Sequence, residues 1–100
     1  MSTRKKKDGP VEAEIGRRIR EARLERKVTQ ETLAEAIGIT YQQIQKYEAG
    51  RDRVAAGRLW RISHVLGCPV DRLLPDGDFF RACDLRRLDR GDEFEPAMHR

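Results

Sequence analysis

No run of apolar residues in this chain is long enough to cross a bilayer. The basic start Arg4-Lys5-Lys6-Lys7 is not followed by the apolar stretch of an export signal. Two cysteines, Cys68 and Cys83, make no disulfide framework, and a reducing, cytoplasmic setting is expected. The two histidines, His64 and His99, belong to no CxxC or similar ligand spacing. His64-x3-Cys68 has one-turn spacing, but Gly67 and Pro69 end the helix there, so no metal site is expected. No phosphate-cradling glycine loop is present, nor a Ser/His/Asp or Cys/His grouping on plausible elements. An enzyme is therefore the least favoured class, and no cofactor is expected. The alternating pattern of a half-buried strand is missing throughout.

What the chain does have is charge and helical periodicity. Of its 100 residues, 38% are charged, with a net charge of +4. The positive excess lies in residues 1–75, because five arginines face seven acids in residues 76–100. Such a surface suits a polyanionic partner. Residues 1–10 form a basic arm without apolar side chains after Met1, expected to be disordered when free. Residues 11–75 form the body, and 76–100 a tail expected to hold a short helix around Phe79, Phe80, Cys83, Leu85 and Leu88. Pro10 suits a first helical position, and Ile15, Ile19 and Ala22 carry helix 1 to about Arg26. Thr29 reads as an N-cap for a helix containing Leu33, Ala34 and Ile37, which Gly38 ends. Thr40-x-x-Gln43 fits a capping box opening helix 3, which Gly50 ends. Leu59, Ile62, Val65 and Leu66 mark helix 4, and Val70, Leu73 and Leu74 a short helix 5. The fold class is all-α with five helices.

Helix 3 carries the chemistry. At about 100° per residue, Tyr41, Gln45, Ala49, Gln42 and Lys46 fall on one side, with Ile44 and Tyr47 on the other. A solvated helix favours Glu and Lys in i,i+4 pairs. Here the polar face is built on glutamines instead. A glutamine amide sets a donor beside an acceptor, which matches the N6/N7 edge of adenine in the major groove. Helix 2, the turn at Gly38-Ile39 and helix 3 make a helix-turn-helix, with small Ala34 allowing the close crossing.

Gln30-Glu-Thr-Leu-Ala34, Gly38-Ile-Thr40, Ile44 and Glu48-Ala-Gly50 together resemble the phage lambda repressor/Cro-type, or xenobiotic-response-element, family of bacterial and phage regulators. The resemblance covers about residues 13–74. It implies base reading by Tyr41, Gln42 and Lys46, with Gln45 beside them. It implies phosphate contacts from Gln30, Thr40, Arg51 and Arg53, to which the flanking Gln43 is added. It also implies a structural salt bridge between Arg23 and Glu48. Lys27 stands where many members have glycine, so a lysine must take that turn or the turn differs. Ala55 replaces a capping serine.

The expected function is regulation of transcription by a homodimer on an inverted repeat of double-stranded DNA, with helix 5 and residues 79–88 as the dimer contact. Two other readings stay open. One is an antitoxin whose tail, residues 76–100, holds a protein partner. The other is a sequence-neutral architectural DNA binder. Arg4, Lys5, Lys6 and Lys7 are weighed as a groove-following arm against a solubilising terminus. Trp60 is expected to be partly buried and Cys68 buried.

Overall fold

The computed structural model describes residues 9–79, 81 and 82. The expectations for Arg4–Lys7, Phe80, Cys83, Leu85, Leu88 and His99 lie outside the described residues. The described chain forms α1 (Pro10–Glu25), α2 (Gln30–Ile37), α3 (Tyr41–Glu48), α4 (Ala56–Leu66) and a 3-10 helix at Val70–Leu73. Helical backbone resumes at residues 77–79, 81 and 82. The fifth element is thus a tighter helix than the periodicity suggested. Five residues between Pro69 and Pro75 leave little room for i→i+4 bonds to propagate.

Each helix start has a local cause. Pro10 opens α1, where its missing N–H costs nothing. Thr29 accepts a bond from Thr32 N, and Thr40 accepts one from Gln43 N. At the start of α4, Ala55 supplies no side-chain cap. The helix stands there because Leu59, Ile62 and Leu66 bury one face of it. Between α1 and α2, Lys27 adopts φ 58°, so a lysine does take the left-handed turn. Such a residue costs more there than glycine would.

Ile19, Leu33, Ile44, Ile62, Leu66 and Leu73 are fully buried, one or two from each element, and close a single core. Ala22 of α1 and Ala34 of α2 are buried beside them, and the small Ala34 lets α2 and α3 cross closely. Gly16 sets the approach of α1 to α3. A Cβ there would collide with the Tyr47 carbonyl oxygen and lie 2.7 Å from that of Glu48. Gly50 combines φ 76° with a backbone contact, because a Cβ on it would sit 2.8 Å from Ala13 Cα. Trp60 is not partly buried as expected. It is 56% exposed and stacks on His64 at 5.1 Å. Cys68 is only half-buried, and burial pushes its thiol pKa up.

The far end of α1 carries a separate ionic group. Glu14 accepts from Arg17 and Arg18, and Arg18 also donates to the Arg72 carbonyl and to Asp76. The bond from Arg17, reinforced by Arg18, holds the Glu14 carboxyl down at about 2. Asp76 accepts the Phe79 backbone N–H, which lowers its pKa, as a helix-capping carboxylate should. Among the described residues, no helix is long and apolar enough to cross a membrane.

Candidate nucleic-acid interface

The face of α3 is fixed from behind. Ile44 is fully buried and Tyr47 nearly so, and Arg58 Nη1 donates to the Tyr47 hydroxyl at 2.9 Å. These contacts set the rotation of the helix about its axis. Tyr41, Gln42, Gln45, Lys46 and Ala49 then stand exposed. Gln42, Gln45, Lys46 and Ala49 line one shallow concavity together with Arg51 from the following loop. Tyr41 lies one turn earlier, 40% exposed. The face therefore offers two amides, an ammonium, a guanidinium and a phenol, with no carboxylate among them.

A buried ionic clamp holds α3 to its neighbours. Arg23 Nε and Nη2 donate to the two carboxylate oxygens of Glu48 at 2.6 and 3.0 Å. Arg23 Nη1 donates to the Val28 carbonyl at 2.9 Å. Both side chains are less than a tenth exposed. Gln30 Nε2 donates to the same Glu48 at 3.0 Å. A buried carboxylate accepts only, so the nitrogen of Gln30 must be the atom facing it. One hydrogen of that amide is thereby taken. The other stays available at the start of α2, where a phosphate contact is expected. The clamp ties α1, α2 and α3 through one carboxylate. No buried side-chain nitrogen or oxygen among the described residues lacks a partner, which is what makes a buried charge tolerable.

The loop after α3 is held by a bond that the capping-box pattern did not suggest. Thr40 Oγ1 accepts from Gln43 N at 3.2 Å. The Gln43 amide does not return the bond to Thr40; it donates to Asp52 Oδ2 at 2.8 Å. Asp52 sits between the exposed Arg51 and Arg53. Arg53 is 66% exposed and lies 3.9 Å from Glu12, a loose pairing that leaves the guanidinium largely solvated. A second groove is lined by Arg20, Arg23, Leu24, Lys27, Val28, Thr29 and Gln30. Arg20 and Lys27 were not singled out as cations from the sequence. The available signal was spacing: Arg20 and Arg23 are i,i+3 and share a face of α1. Among the described residues, no cluster of His, Cys, Asp and Glu could hold a metal ion.

An exposed amide-and-cation helix, held across a tight turn against a second helix, defines a helix-turn-helix domain. A family profile described as helix-turn-helix matches residues 19–73. The chain belongs to that family, in its lambda repressor/Cro or xenobiotic-response-element type. It is 47% identical over 76 residues to a helix-turn-helix-type transcriptional regulator of Sinorhizobium medicae, a match covering 76% of this chain. The chain spans 55% of that relative's length. Among solved structures, the clp gene regulator ClgR of Corynebacterium glutamicum superposes with a TM-score of 0.67 at 26% identity. That match covers 83% of this chain and 90% of ClgR. The same helical module occurs in hydroxypropylphosphonic acid epoxidase from S. wedmorenis, with a TM-score of 0.62 at 26% identity. It covers 65% of this chain but 35% of the epoxidase. The module is thus shared by proteins of different activity, and function has to be argued from the exposed face.

Proposed function

We propose that the chain is a sequence-specific transcriptional regulator that works in the cytoplasm and binds double-stranded DNA as a homodimer on an inverted repeat. In this reading α3 enters the major groove. Gln42, Gln45, Lys46 and Tyr41 face the base edges. Gln30, Thr40, Arg51 and Arg53 face the phosphates, with Gln43, whose amide is engaged by Asp52, beside them. The observation that carries the reading is the exposed glutamine-rich side of α3, which shares a concavity with Arg51 while the opposite side is locked into the core. Cations alone would bind phosphate without regard to sequence; amides held in fixed orientation can discriminate base pairs. Two subunits are invoked because one helix reads too few base pairs to compete with genomic non-specific sites. Half-sites then lie about one helical turn apart.

The test is selection from randomised duplex DNA at about 150 mM salt, where weak phosphate-only binding is suppressed. A palindromic motif supports the dimeric sequence reader, and its spacing gives the subunit geometry. Retention of DNA without an enriched motif overturns sequence reading in favour of a sequence-neutral binder. Failure to retain DNA overturns the proposal altogether.

A further inference from the structure

The loop carrying Arg51 and Arg53 also carries an acid, Asp52, next to the face assigned to DNA. By charge alone Asp52 should weaken binding, since it repels phosphate and cancels a neighbouring cation. The structure gives it a different task. Gln43 lies in the first turn of α3, and its amide reaches across nine residues to Asp52 Oδ2 at 2.8 Å. Both side chains belong to half-buried residues, while Arg51 and Arg53 on either side are exposed. The start of the same turn is pinned by Thr40. The end of α3 is pinned by Gly50, whose φ of 76° brings its backbone against Ala13. The loop is therefore tied at Gly50 to α1 and at Asp52 to α3.

We propose that Asp52 is a positioning residue for DNA recognition: its bond to Gln43 holds the loop so that Arg51 joins the reading face of α3. The inference rests on the DNA-binding reading above and adds to it a residue whose charge points the wrong way. Before DNA arrives, the bond has already paired the Gln43 amide and limited the conformations open to Arg51. A loop ordered in advance loses less freedom on binding than one ordered by the ligand.

Two variants of equal charge separate positioning from electrostatics. Asp52→Asn removes the negative charge but keeps a carbonyl oxygen that can accept from Gln43. Asp52→Ala removes both. The measurement is the dissociation constant for the selected duplex and for an unrelated duplex, with circular dichroism melts as a check on folding. The expected result is that D52A binds the selected duplex about 3- to 10-fold more weakly than D52N, the range that one net hydrogen bond supplies. On the unrelated duplex, bound in no fixed register, a mobile Arg51 still reaches phosphate, so the two variants should bind alike and no more weakly than the parent. Gln43→Ala should reproduce the specific loss, and D52A should add little to it. If D52A and D52N bind the selected duplex equally, Asp52 acts through charge alone and the proposal fails. If D52A loses affinity for both duplexes in step with a lowered melting temperature, its role is stability and the proposal fails as well. If the parent protein does not distinguish the two duplexes, the sequence-reading function falls first, and this inference with it.

Discussion

Removing Glu48 should harm this domain about as much as truncating a residue of its apolar core. Glu48→Ala deletes the acceptor of two bonds from Arg23 and one from Gln30. The Arg23 guanidinium would keep one bond, to the Val28 carbonyl, while its side chain is only 7% exposed. Breaking a buried pair by removing one partner costs about 3–5 kcal/mol, because an uncompensated charge stays behind. A small domain has only about 5–15 kcal/mol in all. For a chain of this size 1 kcal/mol moves the melting temperature by about 4–8 °C, so a drop of at least about 12 °C is expected. The assay is thermal unfolding followed by circular dichroism near neutral pH. A control separates the charge from the packing. Arg23→Met with Glu48→Leu leaves no buried charge and should regain most of the lost stability. Below its melting transition, E48A should keep the base preference of the parent, because Glu48 is turned away from the reading face. A melt of E48A within about 3 °C of the parent, a change of under about 1 kcal/mol, would mean that no costly uncompensated charge is left behind. An apolar pair as unstable as E48A would mean that packing and not charge sets the loss.

Gly16→Ala should gain up to about 1 kcal/mol of helix propensity yet lose about 1–3 kcal/mol from overpacking against the Tyr47 and Glu48 carbonyls; a raised urea midpoint would contradict the close crossing. Glu14 has its carboxyl depressed from 4.5 to about 2 by Arg17 and Arg18. Its stabilising effect is thus complete above about pH 4.5 and lost as pH falls toward 2. Arg17 is solvated and water screens its pull on Glu14, so Glu14→Gln should cost no more than about 1 kcal/mol at pH 6. The difference from the parent should shrink steadily as pH falls from about 4.5 toward 2, as read from melts across that range. Gln42→Ala should cost about 1–3 kcal/mol on the selected duplex and relax preference at one base position, which repeated selection would show. Arg53→Ala should weaken binding to every duplex and reduce the salt slope by about one unit, as measured by titration at several salt concentrations.

Where a helix begins or ends through a single residue's own chemistry, the sequence was enough. Thr29 and Thr40 accept the backbone bonds expected of them, and Gly38 and Gly67 take the left-handed turns. The outward face of α3 was readable for the same reason, since periodicity and burial describe one geometry. What stayed hidden depends on partners distant in the chain. Gly16 has no local signal for its role, and only the carbonyls of α3 explain it. Gln43 is expected to accept from the backbone N–H of its local neighbour Thr40, but its amide instead turns to donate to Asp52. Trp60 is expected to be partly buried because its neighbours Leu59 and Ile62 are apolar. Those two lie on the buried side of α4, and Trp60 turns outward to stack on His64. Glutamine is the common thread in the site. It is neutral and carries donor and acceptor together, so its partner cannot be assigned from charge pairing or periodicity. The two glutamines that the structure engages, Gln30 and Gln43, each donate to a carboxylate that holds an element in place. The exposed pair on α3, Gln42 and Gln45, make no side-chain bond among the described residues. An amide engaged within the fold orients a helix or loop; an amide left outward on a fixed helix is free to meet a ligand. Dividing the four glutamines that way separates the frame of this site from its reading surface.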